Sequence, residues 1–326
     1  MPKKILVIPL AEESLGVRSM CTYMETPDTK ILLDAGASLA PKRLGYPPHP
    51  QEYHALAQCR KRIAKNAQKA DIITISHYHF DHHTPSYTDW FTNYSTPETA
   101  EKIYNGKLVL AKNYRSKINA SQRRRGWMFQ KTAGNNANKI ESADGRSFTF
   151  GETKIRFSEP VFHGPENSEL GWVVMATIEF EDERVVFTSD IQGPMCPFTL
   201  AKILAENPQL VLAGGPPTYL AGFRVKNEDV ERGLQNLSRL AETVPITIIG
   251  HHLLRDENWR VCSQPIFDAA ANAGHKVLTA AEYLGKENSF LEFRRSQLFE
   301  TEPPCSAFRT WMKLPLQKRK LVPPPI

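Results

Sequence analysis

The sequence predicts a mixed α/β fold on three observations. Short apolar runs rich in β-branched residues recur along the chain, longer amphipathic stretches separate several of them, and turn residues punctuate both. With 326 residues and 41% hydrophobic content, the chain is long enough to bury a substantial core. The simplest organisation is one domain over residues 1–300, followed by a basic, proline-rich tail over 301–326. The end of that tail, Lys313 to Ile326, is expected to be poorly ordered or draped on the surface.

Strands are expected at Lys4–Ile8, Cys21–Glu25 and Lys30–Leu33, followed by a helix from about Gln51 to Ala70 with Lys61, Arg62, Lys65 and Lys69 on its solvated face. The run Asp71–Ser76 reads as a buried strand. Thr96-Pro97-Glu98 opens a helix with proline in its first turn, and Lys107–Ala111 returns to the sheet. Alternation marks Arg146–Phe150 and Lys154–Phe157, and the runs Trp172–Phe180 and Arg184–Ser189 form a hairpin through Glu181-Asp182-Glu183. Thr199–Glu206 is helical and Leu210–Ala213 a buried strand. Asn227 is expected to cap a helix whose Val230, Leu234, Leu237 and Ala241 share one face, before the strand Pro245–Gly250.

No stretch approaches the roughly 18 consecutive apolar residues of a membrane helix, and the apolar part of the N-terminus is too short for a signal peptide. A cytoplasmic protein is expected, with no membrane partner. Five cysteines, with no Cys-x-x-Cys pair, signal neither a disulfide framework nor a zinc ribbon. A net charge of +6 favours anionic substrates without establishing nucleic-acid binding.

The chemistry concentrates in His77-Tyr78-His79-Phe80-Asp81-His82-His83, where five of seven side chains can bind a divalent metal directly after a buried strand. Strand ends are where α/β proteins place their sites, and imidazoles with a carboxylate suit zinc, iron or manganese. The bland alternative is a histidine-rich surface loop. His49, His54 and His275 lack comparable surroundings and are read as structural or solvent-facing.

His77-x-His79-x-Asp81-His82 resembles the signature of the metallo-β-lactamase superfamily. Asp34-Ala35-Gly36 resembles its strand-ending Asp-x-Gly, Phe162-His163-Gly164 its third histidine motif, Thr188-Ser189-Asp190 its bridging aspartate, and Gly250-His251-His252 its final histidine. These motifs cover roughly residues 30 to 252. Together with Gly214-Gly215-Pro216-Pro217, they look most similar to a mainly archaeal branch of predicted metal-dependent hydrolases. The resemblance implies a four-layer αββα sandwich and a site for two divalent cations, zinc first, with iron or manganese as alternatives. His77, His79 and His163 would hold one ion, Asp81, His82 and His251 the other, and Asp190 would bridge. A metal-bridging hydroxide would then attack a small, anionic ester, lactone or phosphodiester.

His251 is preferred over His252 as the final ligand because it directly follows Gly250. His83 and His252 become proton-donor or ligand-orienting candidates, as does Asp34, and loss of Asp81 is expected to abolish turnover. Arg123, Arg124 and Arg125 with Trp127, and the segment containing Tyr219, Arg224 and Lys226, are candidate substrate contacts. Arg255 is a weaker one, and simple solvation or turn formation explains all of them equally well. About 60 residues separate Asp190 from His251, too few for the domain that β-CASP nucleases insert there. A nuclease or nucleic-acid phosphodiesterase is therefore the runner-up, and a non-catalytic metal-dependent binding module the third reading. No oligomeric state is specified.

Overall fold

A computed structural model describes residues 2–326. Among those residues, six strands form the first sheet in sequential order: β1 (Leu6–Pro9), β2 (Thr22–Glu25), β3 (Lys30–Leu33), β4 (Ile72–Ile75), β5 (Leu108–Ala111) and β6 (Lys139–Ser142). The first three are antiparallel, and β3 through β6 run parallel. The chain continues with β7 (Ser147–Phe150), β8 (Thr153–Phe157), a two-stranded ribbon of β9 (Val161–Phe162) and β10 (Trp172–Val173), then β11 (Ala176–Phe180), β12 (Glu183–Phe187), β13 (Leu210–Gly214), β14 (Ile246–Gly250) and β15 (Lys276–Leu278). Apart from the ribbon, these make a second sheet ordered β15-β14-β13-β12-β11-β8-β7. It is parallel from β12 to β15 and antiparallel on the other side.

Side-chain alternation builds the layers. Ile31, Leu33, Ile72 and Leu110 of the first sheet share a core with Ile178, Val185, Leu210, Leu212 and Ile248 of the second. Their neighbours Leu32, Ile73, Ile75 and Val109 face the opposite way, onto α1 (Pro50–Lys69), α2 (Pro97–Tyr104) and α3 (Ala120–Lys131). Val211, Ala213 and Ile249 likewise face outward, onto α4 (Pro197–Ala205), α5 (Asn227–Thr243) and the helix Gln264–Asn272. Strands buried on both faces need continuous apolar runs, which is why Ile72–Ile75 carries no alternation. Three apolar layers between four layers of secondary structure give the expected αββα sandwich. A one-residue slip of β4 would reverse every side chain and carry His77 away from its partners.

Differences from expectation have local causes. Lys226, in extended conformation, occupies the cap position of α5, and Asn227 is the first helical residue. The C-terminal segment contains helices Ser306–Met312 and Leu316–Leu321, with Phe308 and Trp311 buried against Tyr53 of α1. Two large aromatic rings remove enough apolar surface from water to hold the start of this segment against α1. His49 caps α1, its side chain accepting from the Gln51 amide. No helix among the described residues is long and apolar enough to cross a membrane.

Candidate metal centre

The carboxyl ends of β3, β4, β12 and β14 meet at one rim, because the residues that follow them touch one another. Asp34, Ser189 and His251 there adopt left-handed backbone conformations, with φ of 48°, 58° and 59°. Non-glycine residues hold such angles only where surrounding contacts enforce them, and they gather at functional sites. Gly36 belongs to the same device. A Cβ on it would collide with the backbone of His82 and His83, so only glycine lets the end of β3 lie beneath the histidine turn.

His77, His79, His163 and Asp190 present ligand atoms all within 4.8 Å of one another, and so do Asp81, His82 and His251. The fold thus brings together all seven residues expected around cations. His252 does not join Asp81 and His82, although it does group with Asp190 and His251. Asp190 is the meeting point. Its Oδ2 lies 2.6 Å from His163 Nε2, 3.1 Å from His251 Nε2 and 3.2 Å from His252 Nε2.

A surrounding layer fixes the rings. The Asp34 carboxylate accepts from the Ser76 amide at 2.8 Å, the Ser76 hydroxyl at 2.5 Å and His82 Nδ1 at 2.8 Å, which leaves His82 Nε2 facing the site. His77 Nδ1 lies 3.1 Å from the Ser76 hydroxyl, which is itself 2.6 Å from Ser189 Oγ. His251 Nδ1 is 3.2 Å from Glu13 Oε1, and Arg255 pairs with the same oxygen at 2.7 Å. Glu12 accepts the His251 amide proton at 2.8 Å, and a Cβ on Gly250 would strike the same Glu12 carboxylate. His252 Nδ1 receives Tyr219 Oη at 3.2 Å and Arg255 Nη1 at 3.2 Å. Arginine can only donate, so the His252 proton resides on Nε2 and points to Asp190.

Burial sets the charges. It pushes His77 well below the ordinary imidazole range, and His79, His163 and His252 down to about 4, leaving neutral rings with free lone pairs at pH 7. Burial works against ionisation of Asp81 and Asp190, but the surrounding imidazoles overcome it and hold both carboxyls far below the usual range. His251 also loses by burial and gains more from Asp190 and Glu13, which raise it to about 10. Among the described residues, His163 Nδ1 and Asp190 Oδ1 are buried without a hydrogen-bond partner. The neutral imidazoles of His77, His79 and His163, the ionised carboxylates and an orphaned carboxylate oxygen fit divalent cations better than they fit a closed hydrogen-bond network, and a cation would take the place of the proton that Asp190 and Glu13 hold on His251.

The site opens into a cavity of about 900 Å³ lined by His79, Asp81, His163, Asp190 and His252, with Arg125, Arg224, Lys226 and Arg255 around them. Arg224 and Lys226 thus lie on the cavity wall, and Tyr219 reaches His252. Arg123 and Arg124 do not line this cavity, and Arg124 lines the neighbouring one instead. Successive helical residues diverge by about 100°, so only Arg125 of the three faces inward. His83 also turns away. Its Nδ1 lies 2.9 Å from the His79 carbonyl, and its ring packs near Tyr78, Phe80 and Phe129. Glu12, Glu13, Ser76 and Ser189 were not singled out from sequence. The one available signal was a pair of adjacent acids, Glu12-Glu13, a few residues beyond the predicted strand Lys4–Ile8.

No family model matches the chain. UPF0282 proteins do: that of Methanopyrus kandleri is 44% identical over 292 residues, covering 90% of this chain and 98% of its own length. That of Korarchaeum cryptofilum is 39% identical over 306 residues, covering 94% and 98%. Among solved structures, the metallo-beta-lactamase fold protein YhfI from Bacillus subtilis matches 83% of this chain and 91% of its own, at 16% identity and a TM-score of 0.45. Unliganded yeast PDE1 matches 85% and 98%, at 10% identity and a TM-score of 0.48. With relatives this similar over nearly their whole length, the chain belongs to the UPF0282 family.

Proposed function

We propose that this chain is a metal-dependent hydrolase that holds two divalent cations and acts on a small, anionic ester, lactone or phosphodiester. The observation that carries the reading is the convergence of seven imidazole and carboxylate side chains at a cavity lined by five cationic ones, Arg18, Arg125, Arg224, Lys226 and Arg255. Zinc is the first candidate ion, with iron or manganese as alternatives. Bound cations supply an acidified water and positive charge to offset the negative charge that develops on a carbonyl or phosphoryl oxygen.

The chain's own groups do the rest. Asp34 and Glu13 hold the Nδ1 sides of His82 and His251, fixing which nitrogen faces the site. Arg125, Arg224 and Lys226 draw an anion into the cavity. His252, with Nδ1 occupied by Tyr219 and Arg255, presents its Nε2 proton beside Asp190 and is placed to pass a proton to a leaving group. His251 serves as the ligand and His252 does not.

A hydrolysis screen with protein loaded separately with zinc, manganese and iron tests the proposal. Turnover on anionic esters that disappears in Asp81→Ala, with the circular dichroism spectrum unchanged, is expected. Protein that retains no divalent ion, or activity indifferent to Asp81, overturns it. A nucleic-acid phosphodiester is the second reading, favoured by exposed Arg123 and Arg124 beside Trp127, which is 48% exposed. Such binding would weaken steeply with salt, and salt-insensitive binding would exclude it.

A further inference from the structure

A second cavity, of about 510 Å³, adjoins the main one. Phe80 and Arg125 line both and form the wall between them. Phe80, Tyr87, Phe129 and Met128 supply most of the apolar lining, and the Ser86 and Ser121 hydroxyls, with His83 and the outer Arg124, add polar points. Arg125 is half-buried at the junction, its guanidinium 4.8 Å from the centre of the Phe80 ring. Among the described residues its one hydrogen bond is a long contact of 3.5 Å to the Tyr78 carbonyl, and it has no salt bridge. A guanidinium carries five donors in a fixed fork suited to a carboxylate or phosphoryl group, so most of this one is unspent.

On the hydrolase reading above, we infer that the substrate is an anionic ester bearing an aromatic group: Arg125 grips the anion at the junction, and the ring enters the second cavity. Ring faces and edges favour a planar aromatic guest through offset and edge contacts, and the scattered hydroxyls serve polar substituents on such a ring. A saturated chain would leave those hydroxyls facing hydrocarbon. The size suits a bicyclic ring, being within the usual few hundred Å³ of small-molecule pockets.

Calorimetry with 1-naphthylmethylphosphonate, which has no hydrolysable ester bond, tests this, with methylphosphonate and hexylphosphonate as controls. The full chain is used as purified, with its metal content measured in every variant. Binding at least about tenfold tighter than either control is expected. Arg125→Gln and Met128→Trp, the second of which fills the cavity without touching charge, should each weaken it about tenfold or more at unchanged metal content. Hexylphosphonate binding as tightly as the naphthyl compound, or either variant binding within about twofold of the parent, overturns the inference. Absence of bound metal in the parent protein strikes instead at the hydrolase reading, so the two failures are distinguishable.

Discussion

The turn after β4 and the turn after β14 each end in two adjacent histidines, and the fold treats the pairs oppositely. After β4 the backbone coils, so His82 faces Asp34 and the site while His83 turns out among Tyr78, Phe80 and Phe129. After β14, the left-handed conformation of His251 brings both rings to the Asp190 carboxylate. A doubled histidine therefore says nothing by itself about how many ligands it supplies. What decides is the backbone angle at the first residue and the partners waiting for each Nδ1: a carboxylate for His82, a carboxylate with the Arg255 guanidinium for His251, a carbonyl for His83, and a hydroxyl with that same guanidinium for His252.

The strongest way to break this comparison is to remove the shared oxygen or a ligand ring. Asp190→Ala and His251→Ala should each weaken divalent-metal binding by more than about 100-fold, because loss of a mere supporting partner already costs about 10–100-fold. Competition with a chelating dye measures this, and metal retention in either variant would remove the basis for a common centre. Asp34→Asn and Glu13→Gln sharpen it. Each frees the Nδ1 side of a ligand histidine and should cost about 10–100-fold in affinity in the same assay. If Glu13→Gln has no effect, Nδ1 anchoring does not distinguish His251 from His252.

Acid should act on both turns at once. His79, His163 and His252 have folded values near 4, below the ordinary value of 6.5. Between those limits these three rings bind more protons in the unfolded chain than in the folded one, so their contribution makes stability fall as pH drops through the window, whereas His251, raised to about 10, adds stability that is lost as pH rises from about 6.5 towards 10. The slope is at most about 1.4 kcal/mol per pH unit for each imidazole, and thermal melting from pH 7.5 to 4 reads it. A melting temperature constant across that range would contradict the depressed values. The smallest effect belongs to His83→Leu, which loses one hydrogen bond to a carbonyl. It should cost about 0.5–1.5 kcal/mol of stability with metal content unchanged. A loss of metal comparable to that of His82→Leu would erase the contrast between the two rings.

The contrast also explains what could be read in advance. The run Asp71–Ser76 announced β4 through its β-branched content, and the residue after it had to emerge at the sheet edge. α3 was harder to see: Ala120–Lys131 is dominated by polar and basic residues, and of its side chains only Gln122 and Phe129, besides Gly126, are buried. Its residue at the main cavity, Arg125, was hidden at the end of a run of three arginines. Arg255 was noticed only as a neighbour of the histidines, yet it is among the largest fully buried side chains. Its partner Glu13 lies 242 residues away, and no local pattern could have joined them.

The sequence by itself determined the layered sandwich and the ligand types, because apolar runs set which strands are buried and strand ends set where polar side chains emerge. Only the tertiary structure decided that His83 turns away while His251 and His252 both reach Asp190, that Glu13 and Arg255 lie behind His251, and that Arg125 alone of its triplet lines the main cavity. Side-chain direction in a turn follows backbone angles imposed by distant packing, and a buried charge is placed by whatever opposite charge the topology delivers to it.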